Sequence, residues 1–194
     1  MSGDRGRRRV GVVAVQGAVE KHLTILEELD VAGRTVLGKD DLAGLDAVIL
    51  PGGESTTISK GLERLGLVDP LRAFAVAGGA MLGTCAGAIL LAREVRNDAV
   101  PTLGLLDVRA VRNAYGTQVN SFSASSDPGG DPELAGMRCV FIRAPQLEDP
   151  GAAVEVLLRV DTRPVLVREG RILASTFHPE LAGDPRIHQL LLEL

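Results

Sequence analysis

The 194-residue sequence has no tryptophan, one tyrosine and four phenylalanines, so aromatic residues make up only 3% of it. Its core must therefore be built mainly from aliphatic side chains, and 45% of the residues are hydrophobic. There are two cysteines, Cys85 and Cys139, which are too few for a disulfide framework. This cysteine usage is typical of the reducing cytoplasm, which we predict as the location.

Long apolar runs are also missing. No segment approaches the ~20 residues of a membrane helix, and the N-terminus lacks the apolar stretch of a secretory signal. The formal net charge of −4 argues against a nucleic-acid or membrane-surface partner. The exception is a basic stretch of Arg5, Arg7, Arg8 and Arg9, which we interpret as a flexible tail over residues 1–9. Residues 10–194 are a stretch long enough for one hydrophobic core, and we predict a single domain there.

Short apolar runs alternate with helical patterns in the first half of the chain. Val10–Val15, Arg34–Leu37 and Ala47–Leu50 are predicted strands, and Val19–Leu29 is a predicted amphipathic helix. The second half is richer in strand patterns. They cover Leu105–Arg112, Val119–Ser125, Val140–Arg143, Val154–Val160, Val165–Arg168 and Ile172–Phe177. This order predicts an α/β domain with a mixed, mostly parallel sheet flanked by helices.

A short apolar run ends in Gly83-Thr84-Cys85-Ala86-Gly87, and a helix-forming run follows at once. This is the sequence pattern of a nucleophile elbow, in which a strand turns sharply into a helix with the nucleophile at the tip. Glycines on both sides suit a turn too tight for side chains. A cysteine at a helix N-terminus is favoured as thiolate. The alternative is a buried cysteine in a glycine-rich turn.

A cysteine nucleophile needs a base, and the sequence has three histidines. His22 and His188 fall on the first and last predicted helices, and we interpret both as structural. His178 follows an apolar strand in His178-Pro179-Glu180, where Glu180 can orient the imidazole. A surface loop that contains a histidine is the alternative for this tripeptide alone. Together with the cysteine elbow, the His178-Pro179-Glu180 sequence favours a catalytic triad of Cys85, His178 and Glu180.

Pro51-Gly52-Gly53-Glu54-Ser55 follows another predicted strand, so it should lie at the same sheet edge as the elbow. A backbone N–H in this turn, with that of Ala86, would form an oxyanion hole. Glu54 either pairs with a substrate ammonium group or stabilises the next helix N-terminus. The Gly-Lys-Ser/Thr of a P-loop and metal-binding motifs are missing, so we predict neither a cofactor nor a metal.

Six blocks, in order, resemble the triad (class I) glutamine amidotransferases. Within that family they are similar to the glutaminase subunits of pyridoxal 5′-phosphate synthase. The blocks are Val15–Ala18, Pro51–Thr57, Gly83–Gly87, Arg112-Asn113, Phe141–Pro145 and Ser175–Glu180. Many members of the family have a glutamine soon after the second glycine of the elbow. Ala88-Ile89 follows that glycine here, which favours the vitamin B6 branch of the family. The basic tail and an end at Leu194 depart from the family pattern.

The resemblance implies a flavodoxin-like glutamine amidotransferase fold and hydrolysis of L-glutamine to L-glutamate and ammonia. Cys85 would attack the carboxamide, His178 would move the proton, and Glu180 would orient His178. The oxyanion hole would come from Gly53 and Ala86. The glutamine-binding residues would be Gly53, Glu54, Ser55, Arg112, Ile142 and Arg143.

The resemblance also implies a partner. In the family, ammonia passes to a separate synthase subunit, which condenses it with ribose 5-phosphate and glyceraldehyde 3-phosphate. Gln16 and the first helix would lie in the region that contacts this subunit, although a simple strand end and surface helix is the alternative.

Two other functions remain open from the residues. A cysteine peptidase or deglycase-like hydrolase would place its cysteine on a similar elbow, but it would not require Gly-Gly-Glu-Ser and His-Pro-Glu in this order. A non-catalytic binding subunit would keep the fold without the reaction. The intact Cys85, His178 and Glu180 argue against that function.

Overall fold

The computed structural model describes residues 8–96, 98–112, 114, 121–127 and 132–194. In chain order the helices and strands are β1 (Arg9–Val13), α1 (Val19–Glu28), β2 (Ala32–Val36), β3 (Ala47–Leu50), α2 (Ser55–Arg64), α3 (Val68–Val76), β4 (Ala80–Thr84), α4 (Ala86–Leu91), β5 (Ala92–Val95), β6 (Leu106–Val111), β7 (Ser121–Ser125), β8 (Arg138–Ile142), β9 (Gln146–Glu148), β10 (Glu155–Val160), β11 (Arg163–Glu169), β12 (Ile172–Ser175) and α5 (Arg186–Glu193). Short 3-10 turns occur at Lys39–Leu42, Pro132–Leu134 and Pro179–Leu181.

The central sheet has seven strands in the order β10-β11-β12-β4-β3-β1-β2. The five strands from β12 to β2 are parallel, and β11 and β10 add an antiparallel edge. This confirms the predicted mixed, mostly parallel sheet. The carboxyl ends of β3, β4 and β12 meet at one sheet edge, where open α/β sheets bind ligands.

The central strands are buried on both faces, which explains their unbroken apolar runs. Along β3, Val48 and Leu50 belong to one core cluster, whereas Ala47 and Ile49 belong to the other. The first cluster packs against α2, α3 and α4, and the second packs against α1, α5 and β8. The predicted sheet flanked by helices is therefore confirmed.

The aromatic residues are concentrated in the second core cluster. Phe141 stacks on Phe122 with ring centroids 4.6 Å apart, and its ring meets that of Phe177 edge-on at 6.0 Å. Aliphatic side chains fill most of the remaining core, as the composition predicts.

Two strands were not predicted. β5 continues the chain directly after α4, and β9 is only three residues long; both pair with β6 in a separate three-stranded sheet. Their local sequences carry little strand signal, so pairing with a distant segment decides their structure. β7 and β8 pair antiparallel. Residues 119 and 120 of the predicted strand Val119–Ser125 lie outside the described residues.

The chain enters the sheet earlier than predicted. Arg9, which the sequence placed in the tail, opens β1, because it pairs with Ala32 of β2; its backbone N–H also donates to the Asp46 carboxylate at 2.8 Å. Arg5 and Arg7 lie outside the described residues. No helix in the described part of the chain is long and apolar enough to cross a membrane.

Candidate active site

Cys85 lies at the sharp turn between β4 and α4, as the elbow pattern predicts. Its backbone has φ 49° and ψ −103°, which is rare for a residue with a side chain. The Cys85 N–H donates to the Ser175 carbonyl of β12 at 2.8 Å, and the Cys85 carbonyl accepts from Ala88 in α4 at 3.1 Å. Such strain persists where the surrounding structure enforces it, and functional sites are frequent examples.

The two glycines around Cys85 are required by close packing. A Cβ on Gly87 would lie 1.9 Å from the carbonyl oxygen of Leu50, and one on Gly83 would lie 2.6 Å from the Gly87 backbone. No side chain larger than hydrogen fits at either position without backbone movement. The first turn of α4 therefore packs directly on β3 and β4.

His178 lies three residues beyond β12, the parallel neighbour of β4, and Ser175 is in register with Thr84. The His178 N–H donates to the Val140 carbonyl of β8 at 2.8 Å, which anchors the loop. Its side-chain Nδ1 lies 2.7 Å from Oε1 of Glu180, and both residues are buried. With Nδ1 bonded to Glu180, Nε2 is the nitrogen left for Cys85 and a substrate.

The electrostatics favour a charged His178. Burial lowers the pKa of His178, but hydrogen bonding and negative charge from Cys85 and Glu180 outweigh burial and raise the pKa to about 10. The Cys85 thiol points to the Ile142 carbonyl oxygen, 3.8 Å from the sulfur. A cysteine beside a protonated imidazole at a helix N-terminus has the surroundings of a reactive thiol.

A half-open cavity of about 240 Å³ lies in front of these groups. It is lined by Gly53, Glu54, Ser55, Cys85, Ala86, Ile89, Arg112, Ile142, Arg143 and His178. The structure thus brings to one cavity every residue predicted for the oxyanion hole or glutamine binding. Glu180 lies behind His178 rather than on the wall. Asn113, which belongs to one resembling block, is outside the described residues.

Glu54 caps α2 while its side chain remains 40% exposed at the cavity. Its carboxylate accepts hydrogen bonds from the Thr56 and Thr57 N–H groups at 3.0 and 2.7 Å, and Arg112 donates to it at 3.1 Å. Burial would raise the pKa of Glu54, but the bonds from Thr57 and Thr56 lower it to about 2. Of the two roles that the sequence left open for Glu54, its contacts within the chain are those of a residue that stabilises the N-terminus of α2.

Gln16 lies against the glycine-rich turn. Its exposed side chain accepts the Glu54 N–H at 3.0 Å. A Cβ on Gly17, which has φ 113°, would lie 1.8 Å from the Gly52 carbonyl oxygen. On the other side, the Gly52 N–H donates to Thr84 Oγ1 at 3.1 Å. The turn after β3 is thus held by the loop after β1 and by the residue before Cys85.

Sequence reasoning missed three polar residues near the triad. His22, Thr84 and His188 are completely buried, and His22 lies 3.7 Å from the second carboxylate oxygen of Glu180. One signal was present, because His22 shares the helical spacing of the apolar Val19 and Leu26. No pattern marked Thr84 beyond its place beside Cys85.

Comparison with known proteins agrees with this geometry. The model of the SNO glutamine amidotransferase family matches residues 12–194. A pyridoxal 5′-phosphate synthase subunit PdxT of Deinococcus radiodurans is 50% identical over 190 residues, which cover 95% of this chain and 96% of that protein. The subunit of the same name from Thermus thermophilus is 48% identical over 187 residues, with 95% and 96% covered.

Solved structures give the same result. A crystal structure of a glutamine amidotransferase superposes with a TM-score of 0.89 and 46% identity, covering 95% of this chain and 97% of that chain. The structure of PurLQS from Thermotoga maritima, at a TM-score of 0.67 and 19% identity, covers 97% and 99% and shares the fold. The chain therefore belongs to the SNO glutamine amidotransferase family.

Proposed function

We propose that this protein is the glutaminase subunit of a pyridoxal 5′-phosphate synthase and hydrolyses L-glutamine through Cys85, His178 and Glu180. One observation carries the proposal: the strained Cys85 elbow and His178, which Glu180 contacts from behind, border one small cavity, lined by all the residues expected to bind glutamine. Relatives of nearly equal length and half-identical sequence support the assignment. They do not favour a peptidase or deglycase.

The reaction begins with attack of the Cys85 sulfur on the side-chain carboxamide carbon of glutamine. The C–N bond then breaks as His178 donates its proton to the departing ammonia, which leaves a thioester on Cys85. Water attacks the thioester while His178 accepts its proton. Glutamate leaves, and the thiol is restored.

Glu180 serves this cycle by holding His178 in one tautomer. Its 2.7 Å contact to Nδ1 directs Nε2 at the reacting atoms. It also stabilises the imidazolium that donates to the departing ammonia and that forms again when His178 takes the proton of water. Burial of the pair strengthens this interaction, because water does not screen it.

The negative oxygen of the tetrahedral intermediate would be stabilised by the backbone N–H groups of Gly53 and Ala86. Ala86 opens α4, so its N–H has no acceptor within the helix and lies at the positive end of the helix dipole. Gly53 lines the same cavity from the turn after β3. Removal of one such donor typically lowers kcat by about 10²–10³-fold.

The cavity also offers charges for both ends of an amino acid. Glu54 is ionised at neutral pH and would hold the ammonium group, while Arg143 would hold the carboxylate. Arg112 is held by Glu54 and Asp98, and this pairing fixes the Glu54 side chain. Ser55 and Ile142 would complete the substrate contacts.

The released ammonia needs an acceptor enzyme, and we assign this role to a separate synthase subunit in a hetero-oligomer. Gln16 would lie at its interface, since it is exposed and bonds directly to the Glu54 N–H beside the glycine-rich turn. Docking there would change the oxyanion hole and couple glutamine hydrolysis to the presence of the acceptor. We propose a cytoplasmic location for the complex.

Ammonia release from L-glutamine, measured with and without the synthase subunit, tests this function. We expect clear stimulation by the synthase. Equal rates in both conditions would support glutaminase activity but contradict the coupling of glutamine hydrolysis to the synthase subunit. No ammonia in either condition would contradict the proposed reaction and favour a non-catalytic subunit.

Gly52→Ala should lower glutamine hydrolysis by at least about 10²-fold, since a misplacement of ~1 Å in an active site costs this much. The added Cβ would lie 2.4 Å from Cε1 of His178, so the imidazole must move away from its place beside Cys85. Ammonia release by the purified complex measures the loss.

Gly38→Ala is the matched control. Gly38 has φ −150°, which any residue adopts, and a Cβ there meets only the Asp41 side chain at 3.8 Å. This variant should hydrolyse glutamine at the wild-type rate. An equally active Gly52→Ala protein would contradict the position described for His178.

A further inference from the structure

A chain of buried polar side chains continues behind the triad. Nδ1 of His22 lies 2.9 Å from Nε2 of His188, and Nε2 of His22 lies 3.7 Å from Oε2 of Glu180. Oε1 of the same carboxylate contacts His178. The chain therefore links α5 through α1 to the imidazole beside Cys85.

Glu180 is bonded on one side only. Among the described residues, Oε2 of Glu180 and Nδ1 of His188 are the buried side-chain nitrogen or oxygen atoms without a hydrogen-bond partner. A buried carboxylate oxygen without compensation is costly. His22 Nε2 is too far for an ordinary hydrogen bond to it, but a polarised N–H at that distance still attracts a charge strongly inside a protein.

The available hydrogen-bond donors and acceptors select one tautomer for the histidine pair. If His188 donates from Nε2, His22 accepts at Nδ1 and carries its proton on Nε2, directed toward Glu180 and toward Thr84 Oγ1 at 3.4 Å. In the opposite tautomer, the lone pair of His22 faces the carboxylate and His188 keeps a buried N–H without an acceptor. The first arrangement avoids both penalties.

Both histidines are neutral at neutral pH. Burial lowers the pKa of His22 to about 4, although the Glu180 charge raises it and the His178 charge lowers it further. Burial and the neighbouring His22 lower the pKa of His188 to about 3. The pair therefore acts on Glu180 through a fixed N–H dipole rather than through a positive charge.

We propose that His22, held by His188, is a positioning residue of the triad, which directs its Nε2–H at Oε2 of Glu180 and keeps the Glu180 side chain turned toward His178. This inference rests on the proposed glutaminase function. His22 also touches Thr84, whose hydroxyl accepts the Gly52 N–H of the glycine-rich turn. One imidazole thus supports the carboxylate and the wall of the oxyanion hole.

His22→Leu tests the inference in the complete complex with the synthase subunit. We expect kcat for glutamine hydrolysis to fall about 10–100-fold, the range typical for loss of the partners that orient metal-binding side chains. KM should be unchanged, because His22 does not line the cavity. His22→Gln should recover most of the rate, since its amide nitrogen replaces Nε2. A His22→Gln variant as slow as His22→Leu would contradict the proposal.

Leu26→Ala is the matched control for damage to α1. Leu26 is completely buried one helical turn beyond His22, and it packs in the apolar core. Its truncation should lower the melting temperature while the folded enzyme keeps its kcat. An equal loss of kcat in both variants would reduce His22 to a structural residue.

A double-mutant cycle separates positioning from general packing. If His22 acts through Glu180, adding His22→Leu to a Glu180→Gln protein should lower kcat no further. A purely structural contribution would be additive, and additive losses would overturn the proposal.

The tautomer can be measured without activity by long-range ¹H–¹⁵N NMR of the imidazoles in the wild-type complex. We expect a neutral His22 with its proton on Nε2; a proton on Nδ1 would overturn the inference even if every variant failed to fold. A wild-type complex that shows this tautomer but releases no ammonia would contradict the proposed function instead.

Discussion

Cys85→Ala is expected to abolish glutamine hydrolysis, with a fall in kcat of about 10⁶-fold, as for the loss of other activated nucleophiles. Alanine at the elbow cannot form the thioester, and no other described thiol borders the cavity. The fold should persist, because the change removes a single atom, whose polar contacts are to the His178 imidazole and, at 3.8 Å, to the Ile142 carbonyl oxygen. Ammonia release in the presence of the synthase subunit measures the effect.

Cys139→Ala is the control for this result. Cys139 is completely buried in β8, where burial, with a contribution from the Asp184 charge, raises its pKa to about 12. It remains a protonated thiol, so its replacement should leave the rate unchanged and cost some stability. Iodoacetamide should modify Cys85 and spare Cys139. Glutamine hydrolysis by the Cys85→Ala variant would show that Cys85 is not the nucleophile.

His178→Asn should be almost as damaging as loss of the nucleophile, again about 10⁶-fold in kcat. Asparagine can donate to Glu180 in place of Nδ1, so the loop anchored on Val140 should stay folded. It has no group to protonate the departing ammonia or to accept a proton from water. The assay is ammonia release, with circular dichroism as the check on folding.

The same variant has a second readout at Cys85. The imidazolium stabilises negative charge on the neighbouring sulfur, so iodoacetamide should react more slowly with His178→Asn than with the wild type at neutral pH. A wild-type hydrolysis rate in His178→Asn would refute its role as the base. Unchanged alkylation would show that His178 does not activate the thiol.

The features that could be predicted from the sequence are local. The elbow depends on glycines two residues from Cys85, and His178 and Glu180 are two residues apart, so short stretches of chain carry their own geometry. Apolar runs predicted β3 and β12 because strands buried on both faces need no partner to be recognised. The shared sheet edge then followed from parallel pairing, which brings segments after different strands together.

Other features needed the tertiary structure. The strand state of β5 comes from pairing with β6, and the ion pair between Glu54 and Arg112 forms because the residue after β6 lies beside the start of α2. The contact between His22 and His188 spans 166 positions of the chain. Local sequence determined the elbow and the His178–Glu180 pair, because their atoms are neighbours along the chain. Packing of α1 and α5 on one sheet face decided what lies behind Glu180, since no short-range pattern records contacts between distant helices.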